Sequence, residues 1–217
     1  MASKKNMLKE DIETCWKILI ITKEVLKFWA SFEKPSTQLE RFYLSRDKHL
    51  TFLGLSLWRL LIIELSKLFS DSGNQNYNLL KLLRKLSKAG DYRSLQFEEK
   101  ILNSLQGKTN HLQTAINEIT RLRNGFYAHA DSDPFGKIKT TLTTGDCEKL
   151  IDLAEEIIRT VAGRLTEIDY IVYPLYYNSK NFDLIYNLAY YEQEEYQKIA
   201  DQQGMSFKDL VGHDPLS

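Results

Sequence analysis

Leu50-Thr-Phe-Leu-Gly-Leu-Ser-Leu-Trp58-Arg-Leu-Leu-Ile-Ile-Glu64-Leu-Ser-Lys-Leu-Phe69 is apolar on nearly every side of a helical projection, and a helix of that kind belongs in the middle of a bundle. It does not read as a membrane span. The apolar run from Leu50 to Leu65 falls short of the roughly 20 residues that cross a bilayer, and it carries Arg59 and Glu64. Working outward, the helix that contains this run extends back to Glu40, and Asp71-Ser-Gly-Asn ends it.

Helical spacing dominates the rest of the chain. Leu8, Ile12, Cys15, Trp16, Leu19, Leu26 and Trp29 recur at intervals of three and four, and Pro35 closes that helix. Asn78 to Lys88 predicts a shorter amphipathic helix, and Ala89-Gly-Asp breaks it before a weaker helical piece from Leu95 to Leu105. Thr109 or Asn110 is placed to cap the next helix, which stops by Asp133-Pro134 because a residue before proline is pushed out of helical geometry. Phe135 to Gly145 is the one extended segment, too short to build a sheet. A long helix from Asp146 to Tyr173 carries Leu150, Leu153, Ile157, Val161, Leu165 and Ile168 on one stripe until Pro174 interrupts it. A tyrosine-dense helix then runs from Phe182 to about Gln203, followed by a short piece at Ser206 to Val211. The pattern predicts an all-α bundle over residues 1–173 with a helical C-terminal extension over residues 174–217.

Composition narrows the function classes. The 217 residues include 29 basic and 29 acidic side chains, so no bulk field draws the protein to nucleic acid or to an anionic membrane, and any such contact needs a local patch. Cys15 and Cys147 both fall in helical stretches, which suits a reducing compartment better than a disulfide framework. The N-terminal residues have no apolar core of the signal-peptide kind, so a cytoplasmic location is expected. His49, His111 and His213 stand far apart and no metal-ligand spacing or glycine-rich phosphate loop is present, so neither metal nor cofactor is expected.

The stretch Arg121-Leu-Arg-Asn-Gly-Phe-Tyr-Ala-His129-Ala-Asp131 is where chemistry is expected. At about 100° per residue, Arg123 and His129 lie roughly 60° either side of Phe126, which continues the apolar stripe of Leu112, Ala115, Ile119 and Leu122. A guanidinium and an imidazole bordering apolar surface are costly unless they find partners. Glu64, the lone acid of the apolar Leu50–Phe69 run, is one candidate partner for Arg123.

Arg123-Asn124 followed by His129 on a late helix, together with the earlier block Trp58 to Asp71, resembles the HEPN superfamily, and within it the HEPN domains of abortive-infection proteins used in phage defence. The specific agreement covers these two blocks, while general helical agreement extends over roughly residues 8 to 172. The resemblance implies a HEPN-like bundle and a metal-independent endoribonuclease, often a toxin, with two copies of the motif facing each other across a homodimer. It puts Arg123 and His129 at the catalytic positions and Asn124 at the polar position after the arginine. In the branch controlled by a nucleotidyltransferase antitoxin a modified tyrosine stands two residues after the histidine; here that residue is Asp131, and Tyr127 does not replace it.

These residue types suit that chemistry. Cutting RNA without metal needs a proton taken from the 2′-hydroxyl, charge stabilised on the phosphate and a proton given to the leaving oxygen. His129 can act as base or acid near neutrality. In a last helical turn beside Asp131 it leans toward the protonated form. Arg123 offers a fork for phosphate oxygens, and Asn124 a hydrogen bond at ribose or phosphate. Two facing motifs supply a base from one subunit and an acid from the other. The partners expected are an RNA substrate, a second copy of the chain, and an antitoxin or another defence protein.

Each residue also has a plainer reading. Arg123 can bridge to Glu64 while His129 caps the helix; Glu64 itself reads as a core ion-pair partner or an orienting group sooner than as a catalyst, and Asp131 as a turn residue. The basic set Lys81, Arg84, Lys85, Lys88 and Arg93 reads as a solvated helix face before it reads as an RNA track, and the tail tyrosines as packing before base-stacking. The same fold therefore also fits a catalytically silent module that binds a nucleotide, an RNA or a protein, or a scaffold in a larger defence complex.

Overall fold

The computed structural model describes residues 2–35, 37–71, 77–127, 140–166, 170, 184–206 and 209. Among these lie eight α-helices and no strand: α1 (Ala2–Glu33), α2 (Gln38–Arg46), α3 (Lys48–Phe69), α4 (Leu79–Leu86), α5 (Glu99–His111), α6 (Gln113–Leu122), α7 (Thr144–Leu165) and α8 (Leu184–Gln203). A 3-10 turn spans Arg93–Leu95 and a π-helical turn spans Arg123–Tyr127. The protein is all-α, as the periodicity predicts. None of the described helices is long and apolar enough to cross a membrane.

Side-chain caps set several boundaries that hydrophobic spacing misses. The helix expected from Glu40 to Phe69 is two helices, because Asp47 leaves helical geometry (φ −90°, ψ 111°) and its carboxylate accepts the N–H groups of His49 (2.7 Å) and Leu50 (3.2 Å). Thr37 and Glu40 start α2 with a reciprocal capping box. Thr109 and Asn110 do not cap the motif helix. They lie inside α5, where the Thr109 hydroxyl donates back to the Leu105 carbonyl (2.9 Å), and the chain turns at Leu112 instead. The next cap, Thr143 with Asp146, begins α7 at Thr144. Of the stretch expected to be extended, Thr140 to Thr143 is non-helical, and residues 135–139 lie outside the described residues.

The chain divides into two compact units, and the division falls inside α1 and α3. The first comprises Met1–Leu26 and Trp58–Leu175. Its core takes Leu8, Ile12 and Leu19 from α1 and Leu61, Ile62, Leu65, Leu68 and Phe69 from α3, all without exposed surface. The stripes of α4, α6 and α7 add Leu79, Leu82, Ile119, Leu122, Leu150 and Ile157, and α5 adds Leu102 and Leu105. Each such side chain contributes about 2 kcal/mol of transfer free energy on burial. Gly90 closes the turn after α4: a Cβ there would fall 2.2 Å from the Lys85 carbonyl oxygen, so no larger residue fits without moving backbone.

The second unit comprises Lys27–Leu57 and Tyr176–Ser217, so residues expected as a C-terminal extension group with α2 and the N-terminal part of α3. Arg46 is the fastener between α2 and α8. Its guanidinium lies 5.1 Å from the Phe42 ring centre and 5.0 Å from that of Tyr196, and donates to the Tyr196 hydroxyl at 3.1 Å. Tyr190 and Tyr191, in contrast, present exposed rings in edge-to-face contact 6.5 Å apart.

One polar cluster ties the first unit together. The buried Asp11 carboxylate accepts Lys85 Nζ and the Tyr92 hydroxyl, both at 2.7 Å, and so joins α1 to α4 and to the turn that follows. Burial and this hydrogen bond push the Tyr92 hydroxyl above its ordinary titration range. Burial, reinforced by Asp11, pushes the Cys15 thiol up to about 12, so Cys15 packs as an inert apolar group. Replacing Asp11→Asn is expected to cost about 2 kcal/mol by leaving Lys85 without its counter-charge, read as a fall of roughly 4–8 °C in thermal midpoint. Tyr92 has a raised folded pKa, so its contribution is complete below about pH 10 and is lost as pH climbs above that value, which a urea titration from pH 8 to 11 would show.

Candidate active site

The last turns of α6 set up the motif. Ile116, Ile119 and Leu122 are buried, which fixes the rotation of the helix, while Thr120 joins its hydroxyl to that of buried Ser70 at 2.9 Å. Ser70 lies just beyond α3, and its carbonyl accepts Asn78 Nδ2 at 2.7 Å. Asn78 in turn caps α4 by accepting the N–H groups of Leu80 and Lys81. The end of α3, the start of α4 and the final α6 turn are thus one hydrogen-bonded assembly.

At Arg123 the helix widens into the π-helical turn, a form that frequently marks functional sites. The expected projection of Arg123 and His129 about Phe126 assumed regular α-helix through this point, whereas Arg123–Tyr127 is π-helical and His129 lies outside the described residues. Arg123 is half-buried, its N–H donates to the carbonyls of Ile119 and Thr120, and its Nη1 donates to Asn124 Oδ1 at 3.2 Å. It forms no ion pair among the described residues. Asn124 is exposed. Tyr127 is the final residue of the π turn, while His129 and Asp131 lie outside the described residues.

Glu64 does not take the expected place beside Arg123. One of its carboxylate oxygens pairs with Lys67 Nζ at 2.5 Å, one helical turn away on α3. The other is buried with no hydrogen-bond partner among the described residues. An unpaired buried carboxylate oxygen carries a desolvation cost, and helical spacing alone gave no sign that Lys67 would satisfy only half of the group.

The acid that organises the motif region is Glu118. Arg121 grips it bidentately, Nε to Oε2 and Nη2 to Oε1, each at 2.7 Å. Glu118 Oε1 also accepts the Thr140 hydroxyl at 2.9 Å and the Thr141 N–H at 3.3 Å. The hydrogen bond from Arg121, with those from Thr140 and Thr141, holds the Glu118 carboxyl at about 2, well below its usual range. Residues on the two sides of positions 128–139 are therefore fastened to one carboxylate. The Glu118 to Arg121 spacing is legible in sequence as a helical ion pair; the long-range contact to Thr140 is not.

The basic set is largely spent on local acids. Arg84 forms a bidentate pair with Asp71 (2.5 and 2.8 Å), Lys85 is held by Asp11, and Lys88 pairs with Glu99 at 2.6 Å. Such pairs leave little unbalanced charge for a continuous electrostatic track. Among the described residues, no group of three or more histidine, cysteine, aspartate or glutamate side chains is placed to hold a metal ion.

Glu118→Gln is expected to remove the charge that Arg121 and both threonine contacts share. Amide hydrogen exchange at Thr141 should speed up by at least several-fold, in keeping with the loss of a charge-assisted bond worth about 1.5–3 kcal/mol. In the unsubstituted protein the carboxylate's contribution is complete above about pH 4.5 and is lost as pH falls toward 2, so the same amide should lose protection in acid. Unchanged exchange in Glu118→Gln would show that the two segments hold together without it.

No curated protein and no solved structure gives a significant match to this chain. The family model for AbiU2, a HEPN-type abortive-infection family, matches residues 8–180, which takes in both units in part and the whole of the motif. With most of its length covered by that match, and with the all-α fold described above, the chain belongs to the AbiU2 family of HEPN domains.

Proposed function

We propose that this protein is a metal-independent endoribonuclease that acts in the cytoplasm as a toxin or abortive-infection effector in phage defence. In this reading Arg123, Asn124 and His129 form the catalytic set, and two copies of the chain bring two sets together across a homodimer. Glu64, Asp131 and Tyr127 support it. An antitoxin or defence partner restrains the activity until infection.

The observation that carries the reading is the state of Arg123. Its neighbour Arg121 is neutralised by Glu118, and most cations of the basic set have acids of their own, yet Arg123 ends α6 with a guanidinium whose hydrogen bond goes to an uncharged amide. A cation kept half-buried and with no acid partner among the described residues is suited to meeting an anion from outside the chain. Asn124 steadies the fork while leaving its charge intact. His129, six residues on, supplies the proton transfers that a permanently charged arginine cannot. Membership of a HEPN-type family supports this assignment of roles.

Purified protein incubated with single-stranded RNA in excess chelator should cleave it, leaving a 2′,3′-cyclic phosphate. His129→Ala and Arg123→Ala should each slow cleavage by about 100-fold or more while leaving the sedimentation behaviour of the dimer unchanged. Cleavage that survives both substitutions, or that requires a divalent cation, would overturn the proposal. Saturable RNA binding without cleavage would favour the silent module instead.

A further inference from the structure

Between the end of α4, the 3-10 turn and the first half of α5 lies a cleft of about 530 Å³, built by the first unit alone. None of its lining belongs to α6 or to the motif turn. Its volume falls in the range of roughly 300–1,000 Å³ that small-molecule sites occupy. Its floor is apolar, with Leu86 and Leu102 buried beneath it and the Phe97 ring half-buried at one side.

The walls are rich in carboxamides. Asn103 and Gln106 project from successive turns of α5, and Gln96 faces them from the segment before the helix. Gln96 has φ 53°, ψ 48°, the left-handed conformation that side chains other than glycine rarely adopt. Strain of this kind concentrates at ligand clamps. A carboxamide presents a donor and an acceptor in one plane, as the edge of a nucleobase does.

Charge at the rim adds a second constraint. Lys88 is neutralised by Glu99, and Arg93, which is exposed, has no ion pair among the described residues. The lining therefore keeps one net positive charge, enough for a single phosphodiester and too little for a polyphosphate. An aromatic ring, three carboxamides and one guanidinium lining one cleft together match one unpaired nucleotide: base on Phe97, base edge on the amides, phosphate on Arg93.

We infer that this cleft binds a single unpaired nucleotide, as a site separate from the Arg123 motif. The chemistry is shared by an exposed nucleotide of an RNA strand and by a free mononucleotide. An RNA occupant would make the cleft an anchor that holds one flipped-out base while another part of the strand reaches the motif. The binding itself does not depend on the chain being a nuclease.

The full chain carrying His129→Ala, which keeps RNA intact, is titrated with a fluorescent single-stranded pentaribonucleotide, with the same sequence in a duplex, and with each of the four ribonucleoside monophosphates. Saturable binding of the single strand is expected, with little binding of the duplex. Arg93→Glu should weaken it about tenfold or more, and the Asn103→Ala, Gln106→Ala double variant should weaken it several-fold and alter the preference among bases. Monophosphates that bind with the same dependence on Arg93 would identify free nucleotide as the occupant and still support the site. Affinity that is indifferent to Arg93→Glu in a protein with unchanged thermal midpoint would overturn it, as would affinity that depends on Arg123 but not Arg93. Cleavage lost in wild type while Arg93-dependent binding persists would instead count against the nuclease proposal, so the two fail separately.

Discussion

Covering most of the second half of α3, all but the face of Leu60, Ile63 and Lys67, is the constraint from which the first unit follows. Leu61, Ile62, Leu65, Leu68 and Phe69 face several directions around one helix, and all are without exposed surface. No single neighbour can cover such a surface, so helices must be recruited around it. The polar groups carried into that environment are then settled nearby. Ser66 donates to the Ile63 carbonyl at 2.7 Å, and Ser70 reaches Thr120 on α6. Glu64 differs: Lys67 holds one of its oxygens, and the other has no hydrogen-bond partner among the described residues.

Hydrophobic period reported the existence and type of the helices well because burial generates both. Leu8, Ile12 and Leu19, or Leu150, Leu153, Ile157 and Val161, lie on one face by spacing and are buried together in the fold. Boundaries behaved differently. At Asp47 and Leu112 the apolar pattern continues while the backbone breaks, because the outcome is decided by where one carboxylate or one backbone angle goes. The same limit applied to the motif. Arg123, Asn124 and His129 were legible as residue types at a spacing, but the π-helical turn at Arg123–Tyr127 has no signature in period or propensity.

Long-range polar contacts were the least legible part. Glu118 meets Thr140 across 22 positions and Asp11 meets Tyr92 across 81. Neither partner is unusual in composition, and each pair becomes visible only once the helices are arranged. The tail shows the converse. Its tyrosines stood out in sequence, yet the structure separates their roles: Tyr196 is held against Arg46, while Tyr190 and Tyr191 keep their rings exposed.

Overall neutrality conceals this distribution of charge. Equal numbers of acids and bases suggest a surface with no preference, but the pairs are assigned unevenly. Arg84, Lys85, Lys88 and Arg121 are each matched to an acid at hydrogen-bond distance. The exposed pairs Arg84–Asp71 and Lys88–Glu99 contribute little stability, but each of the four cancels a charge that would otherwise attract polyanions indiscriminately. Arg123 and Arg93 have no ion pair among the described residues and lie in different surroundings, one beside an amide at the end of α6 and one at the rim of an amide-lined cleft. Isolated guanidiniums on a neutral background favour recognition of phosphates at defined points over a diffuse coating of nucleic acid. Selectivity would then come from the groups around each cation, and weak salt dependence would accompany it, since few counterions are released when few phosphates are neutralised.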